Sequence, residues 1–315
     1  VMGYRGPNAN DRLTYCELGC GQGLSANLYA AANPQIEFHA TDFNPSHIAG
    51  ARDLAKAAGT SNIHFYEDSF AEFLERPGLP DFDIISLHGI YSWIAPEHRK
   101  TIVEIARKKL KPGGLLYNSY NALPGWSVAA PMRHLMYMHG KMQGGPTGAR
   151  LDPALAFIDK LIAANAGYFR VNPALKDRFE KLKTQQRNYL AHEYMNDAWT
   201  LLYHSDVAVE MAEAKLSYLG SAHLPENVDV VNLTAEQQSV MAGIADPILR
   251  ETVRDFITAQ QFRRDVFIKG AIPLSASEAY NLWASRRFVL AARREDVTKK
   301  ARTALGEVQL HDAVY

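Results

Sequence analysis

Apolar residues in the first 126 positions alternate between two rhythms. Short apolar-rich runs at Leu13 to Leu18, Ile36 to Thr41, Ile63 to Tyr66, Phe82 to Leu87 and Leu115 to Tyr120 predict strands. Between them, Leu24 to Ala32, Ser46 to Ala58, Ser69 to Glu75 and Glu97 to Leu110 carry apolar residues mostly at helical spacing. Alternation of this kind predicts an α/β fold with a parallel sheet between helices, and ligands then belong at the carboxyl ends of the strands. Lys111-Pro112-Gly113-Gly114 reads as a turn that breaks the fourth helix before the fifth strand.

Past Trp126 the pattern becomes helical. The stretch Gly140 to Gly148 reads as a mobile loop at a domain junction. Asp152-Pro153 supplies an N-cap and an N1 proline for a helix through about Asn165, with Leu155, Ile158 and Ile162 on one face. Ser205 is expected to cap a helix that ends before Gly220; Thr234 to Gln237 has the capping-box pattern, and Asp246-Pro247 begins another helix. Short strands are expected near Leu216 to Leu219 and Val266 to Ile268, and no internal repeat is visible.

Composition narrows the classes of partner. At 315 residues the chain exceeds one typical domain, so two or more units are expected. Lys+Arg and Asp+Glu are 34 each, which argues against a nucleic-acid partner. The 11 histidines show no metal-ligand spacing along the sequence and read as ordinary residues, so no metal is expected. Cys16 and Cys20 suit reduced thiols in a cytoplasmic protein rather than a disulfide framework. No apolar run reaches the ~18 residues of a membrane helix. The chain starts at Val1, which leaves a removed leader or missing amino-terminal residues open.

The chemistry concentrates after the first strand, in Tyr15-Cys16-Glu17-Leu18-Gly19-Cys20-Gly21-Gln22-Gly23. Glycines there let the backbone turn sharply and approach a ligand closely at a helix N-terminus. Their spacing fails the dinucleotide fingerprint, because position 24 is Leu where a third glycine belongs. The E-x-G-x-G-x-G pattern instead resembles the first motif of class I S-adenosylmethionine-dependent methyltransferases. Asp42, closing the second strand, is placed to accept from both ribose hydroxyls, and Phe43 to stack on adenine or join the core. Asp68, Ser69 and Phe70 follow the third strand, where polar groups would meet adenine and an apolar ring its face. Glu17 is expected to bind the methionine ammonium or to order the glycine loop. Cys20 reads as a small filler, and His88 as a cofactor or substrate contact or a structural histidine.

Longer strings extend the resemblance over nearly the whole chain. Leu87-His88-Gly89-Ile90-Tyr91-Ser92-Trp93-Ile94 and Asn118-Ser119-Tyr120-Asn121-Ala122-Leu123-Pro124-Gly125-Trp126 resemble the HG-x-YSW and SYN-x-x-PGW motifs of bacterial methyltransferases with a methyltransferase regulatory domain. Tyr189 to Tyr194, Tyr218 to Ala222, Arg254-Asp255-Phe256 and Gln261 to Phe267 resemble that regulatory domain in order and spacing. The resemblance implies a Rossmann-like class I methyltransferase domain followed by a second, mostly helical C-terminal domain. The expected division is a cofactor domain over 1–130, a helical connector over 131–188, the regulatory domain over 189–268, and the start of a truncated segment over 269–315. It also implies S-adenosyl-L-methionine as cofactor and protein lysine N-methylation as the first expectation. Small-molecule O- or N-methylation and a non-catalytic cofactor-binding regulator are the alternatives. Tyr91, Trp93, Tyr120, Asn121 and Trp126 are expected to line one cavity around the methyl acceptor, with core packing as the alternative for each ring. Arg263, Arg264 and Asp265 read as an ion-pair network linking the domains.

Overall fold

The computed structural model describes residues 2–8, 11–287, 289–290 and 292–309. The expected truncated end at Leu310 to Tyr315 lies outside the described residues.

Five strands follow the predicted rhythm: β1 (Thr14–Leu18), β2 (Glu37–Thr41), β3 (Ile63–Tyr66), β4 (Phe82–Leu87) and β5 (Leu110–Asn121). Between them lie α1 (Leu24–Ala32), α2 (Pro45–Ala58), α3 (Phe70–Leu74) and α4 (Pro96–Lys109). Local chemistry sets their ends. Asn44 caps α2 by accepting from the Ser46 N–H, Pro45 opens it, and Gly59 closes it in the left-handed conformation. Ser69 and Glu72 form a reciprocal capping box at α3.

These five strands pair in parallel, and the sheet runs β3-β2-β1-β4-β5-β7-β6. Its last two members come from far along the chain: β6 (Leu216–Ser221) and β7 (Phe262–Lys269). β7 lies antiparallel to β5 from Leu115 to Asn121, and β6 lies antiparallel to β7. The Lys111 to Gly114 segment is not a turn before β5 but an irregularity inside it. Phe82 already pairs with Leu110, and the register shifts before Ile84 meets Leu115. The Phe82–Leu110 pairing before it starts the strand early, which local turn chemistry does not foresee.

From β5 the chain enters five helices: α5 (Ala130–Met142), α6 (Thr147–Ala163), α7 (Gly167–Val171), α8 (Ala174–Lys183) and α9 (Arg187–Met195). Of the stretch Gly140 to Gly148 expected as a mobile junction loop, only 143–146 lies outside helices, because α5 runs to Met142 and α6 begins at Thr147. Pro153 therefore sits inside α6 rather than at its start, and Asp152 is spent on an ion pair with Arg187 rather than a cap. Next come α10 (His204–Ala212), α11 (Asp229–Asn232), α12 (Ala235–Ala242), α13 (Pro247–Thr258) and α14 (Ala276–Ala284). Ser205 does not cap α10, whose N-cap is Tyr203. The expected caps at Thr234 and Asp246 do form. A two-stranded ribbon, β8 (Lys300–Thr303) and β9 (Gly306–Gln309), follows.

Three buried clusters hold these layers together. The largest includes Leu18, Ile85, Leu87, Leu116 and Phe267 from the sheet, with residues of α3, α4 and α10 packed against them. Ala26, Ile48, Ala51, Ala40 and Phe65 join α1 and α2 to the opposite sheet face. The third cluster lies among α5 to α9 and takes in Trp126.

Candidate active site

The carboxyl ends of β1, β2, β3 and β4 and of the parallel β5 carry the polar residues of interest, as the alternating pattern requires. After β1 the chain turns through Gly19, Gly21 and Gly23, at φ +73°, +53° and +69°. Position 23 admits no side chain: a Cβ there would meet the Ala51 Cβ at 2.6 Å and the Phe65 ring at 2.9 Å. The Gly19 and Cys20 N–H groups donate to the Thr41 carbonyl at 2.8 and 3.0 Å. The Gly21 N–H donates to Asp42 Oδ2 at 2.9 Å, and the other Asp42 oxygen accepts from the Asn44 N–H at 2.9 Å. His47 Nδ1 is 3.2 Å from that second oxygen. Asp42 thus ties the glycine loop to the end of β2. Its carboxylate has lone pairs left for a further donor.

Glu17 is buried at the end of β1. Its Oε1 accepts from the Ser25 hydroxyl at 2.6 Å, while its Oε2 is buried without a partner. Burial raises its pKa, and the Ser25 hydrogen bond partly offsets that. A cationic group placed there would satisfy the orphaned oxygen. Phe43 is 79% exposed, which leaves its face open for stacking. A glycine turn with close-packed backbone, an orphaned carboxylate oxygen, a second carboxylate at the next strand and an open aromatic ring fit an amino-acid nucleoside such as S-adenosylmethionine. Cys20 is buried, and burial foremost, with the Glu17 and Asp42 charges, pushes its thiol up to about 12, the state of an unreactive filler.

The group after β3 is largely engaged within the protein. Asp68 holds Arg76 in a two-pronged pair at 2.6 and 2.7 Å, Ser69 is committed to the α3 cap, and Phe70 meets His98 edge to face. After β4, His88 Nδ1 lies 2.8 Å from the Tyr117 hydroxyl. Burial and then the Arg264 charge lower its pKa. Ile90 folds back over the glycine turn, so a Cβ at Gly19 would lie 2.4 Å from its Cδ1.

The five residues expected around the acceptor are divided among different surroundings. Tyr91 and Tyr120 are fully buried in the main cluster, and Trp126 is in the helical cluster. The Tyr91 hydroxyl donates to Glu210, and that of Tyr120 to Asp265 at 2.6 Å. Trp93 stacks on His192 with ring centroids 5.2 Å apart. Asn121 donates through its side-chain amide to Glu193 Oε1 at 2.7 Å, which also accepts from Trp199 Nε1 at 2.8 Å. Burial raises the Glu193 pKa against those two bonds. Ser92, between the aromatics, accepts the Asn121 backbone N–H at 2.8 Å and, through its carbonyl, the Thr200 N–H at 2.8 Å. The ends of β4 and β5 are therefore fastened to the segment after α9.

Sequence reasoning missed the partners of these residues. Arg263 bonds Asp255 at 2.5 Å and Asp265 at 2.8 Å, while His204 Nδ1 lies 3.1 Å from Asp265. Burial opposes the ionised Asp265, yet Arg263 and His204 outweigh it and hold its carboxyl below the ordinary range. Only the Arg263-Asp265 pair was readable, as a suspected ion-pair network. The contacts of His204 with Asp265, Tyr218 with Arg263 and Glu193 with Asn121 gave no local signal because the partners lie 61, 45 and 72 positions apart.

The parallel sheet with its glycine turn and paired carboxylates defines a class I S-adenosylmethionine-dependent methyltransferase fold. A family model described as a methyltransferase domain matches residues 16–116, and one described as a predicted methyltransferase regulatory domain matches residues 186–269. Both parts are thus matched within this one chain, in that order. It is 48% identical over 311 residues to the uncharacterised protein sll1526 of Synechocystis sp., covering 99% of this chain and 61% of that protein. It is 27% identical over 252 residues to the uncharacterised protein RP789 of Rickettsia prowazekii, covering 78% of this chain and 44% of that one. The solved structure of PKMT2 from Rickettsia typhi in complex with AdoHcy aligns with a TM-score of 0.73 at 24% identity, over 89% of this chain and 54% of that one. The chain thus spans between 44% and 61% of these proteins' lengths. Among the described residues no helix is long and apolar enough to cross a membrane.

Proposed function

We propose that this chain transfers a methyl group from S-adenosylmethionine to a lysine side chain of a protein. The observation that carries the cofactor half is the Gly21–Asp42 bond joining the glycine turn to the end of β2, beside the orphaned Glu17 oxygen. Glu17 holds the ligand's ammonium, Gly19, Gly21 and Gly23 shape its bed, Asp42 accepts from the ribose, and Phe43 and His88 flank it. Asp68, Ser69 and Phe70 line the adenine end mainly through backbone and ring surface, since their polar groups are engaged. The bound cofactor supplies an electrophilic methyl group on a sulfonium.

The acceptor reading rests on the resemblance of the chain's motifs and on the fold it shares with the Rickettsia typhi protein named PKMT2. Asn121 and Trp93 are the residues suited to touch the amine. Glu193 fixes the Asn121 amide nitrogen, so the amide oxygen is that side chain's acceptor. Tyr91, Tyr120 and Trp126 act as positioning residues that hold the strand ends in place. Moving a lysine pKa from ~10.4 to 7 requires roughly 4.6 kcal/mol, and partial desolvation beside aromatic rings works in that direction. Residues 1–130, 131–188, 189–268 and 269–315 are read as cofactor domain, connector, regulatory part and following segment, with β6 and β7 shared into the common sheet.

The test is incubation with methyl-labelled S-adenosylmethionine and separate protein and metabolite panels. Label on lysine in the protein fraction is expected. Label only in small molecules overturns the substrate class, and cofactor binding without turnover overturns the enzymatic reading.

A further inference from the structure

Toward the amino ends of β2 and β3, away from the glycine turn at the carboxyl end of β1, three metal-binding side chains come together. Glu37 and His39 are two apart on β2 and share a face, and His39 lies beside His64 in the parallel register. One donor atom from each residue lies within 4.8 Å of the other two. Glu37 Oε1 is 3.4 Å from His39 Nε2 and 3.3 Å from His64 Nε2.

These separations are long for charge-assisted hydrogen bonds, which run ~2.7–2.9 Å. They match the edge of a tetrahedron whose centre lies ~2.05 Å from each ligand, about 3.3 Å. His39 is 4% exposed, and its Nε2 has no hydrogen-bond partner. Its Nδ1 lies 2.9 Å from the Tyr66 hydroxyl. An Nδ1–H donating to Tyr66 fixes the ring with the Nε2 lone pair toward Glu37, the support that metal-bound histidines receive. The His64 and Glu37 side chains are 47% and 53% exposed, so an ion and a water can enter from solvent.

We infer that Glu37, His39 and His64 bind a zinc ion, with water as the fourth ligand. Two imidazoles and a carboxylate select a borderline ion such as Zn²⁺ over Mg²⁺ or Ca²⁺, which take oxygen ligands. Along β2, His39 and Glu37 precede Asp42 by three and five residues, about 10 and 16 Å at ~3.3 Å per residue, and their side chains alternate to the other face from that of Asp42. The site therefore fastens the edge strand β3 to β2 rather than serving methyl transfer.

The test uses the full, untagged chain, stripped of metal by chelator and titrated with zinc chloride at pH 7.5 against a chromogenic competitor. One equivalent is expected to bind, with a rise in thermal midpoint. His64→Ala and Glu37→Gln should each weaken binding about tenfold or more. Glu37→Gln, at a half-exposed position, carries the test if His64→Ala does not fold. Cobalt substitution should give visible absorption bands in the wild type that Glu37→Gln reduces. Absence of saturable zinc binding, or equal affinity in wild type and both variants, overturns the site.

Discussion

Replacing Asp42 with Ala removes two functions at once, and their magnitudes can be worked separately. Within the protein, the carboxylate accepts backbone N–H bonds from Gly21 and Asn44, each at 2.9 Å. Hydrogen bonds to a charged acceptor contribute roughly 1.5–3 kcal/mol apiece. Gly21 and Asn44 are partly exposed, so water replaces some of that, and roughly 2–4 kcal/mol of unfolding free energy should be lost. From sequence alone the fold would be expected to tolerate the change, because the residue's backbone partners are invisible there. Toward the cofactor, two lost ribose bonds amount to roughly 2–4 kcal/mol, or about 30- to 900-fold in Kd. Asp42→Asn should recover only part of either, since its NH2 meets one of the two backbone donors. Calorimetric titration with S-adenosylmethionine and urea denaturation of each variant give the two numbers. Lower affinity with unchanged stability would refute the loop-fastening argument. Lower stability with unchanged affinity would refute the ribose assignment.

Two further outcomes follow from the buried network around β7. Burial pushes Asp255 up to about 7 against the pull of Arg263, so the folded state holds an extra proton between the unfolded carboxyl value near ~3.9 and that point. Its contribution to stability is present below the unfolded value and is lost as pH rises through about 7. Asp255→Asn should therefore lose less stability than wild type between about pH 5 and 8 in urea titrations, and parallel slopes would contradict this. Tyr120→Phe removes a 2.6 Å bond to Asp265, which keeps Arg263 and His204 as partners. Stability should fall by about 1–2 kcal/mol with little change in S-adenosylmethionine affinity, and a large loss of affinity would place Tyr120 at the cofactor instead.

Much of the first half was readable because its order is local. Each of β1 to β4 is a short apolar run bounded by polar or turn residues, and Pro45, Gly59 and Pro96 punctuate the helices where they stand. The caps at Thr234 and Asp246 were readable for the same reason. Structure built from distant partners was not. The start of β5 depends on Phe82, the full length of β7 on β5, and the burial of His204 on Asp265. Histidine spacing did not reveal the Glu37, His39 and His64 group because His39 meets His64 only through strand pairing, 25 positions further on. At the cofactor end the glycines and Asp42 were legible as a motif. At the ends of β4 and β5, residue types were legible but the commitments of Tyr91, Tyr120 and Asn121 to Glu210, Asp265 and Glu193 were not.

The place of β7 between β5 and β6 bears on how the chain is made. Asn121 and Phe262 are sheet neighbours although 141 positions (262 − 121) separate them. At ~5–20 residues per second, a nascent chain holds the edge of β5 open for roughly 7–28 s before its partner emerges. An open strand edge is a template for pairing with another chain. During that interval the half-made sheet is exposed to association with its neighbours on a polysome, and faster translation between α5 and β7 would shorten the exposure.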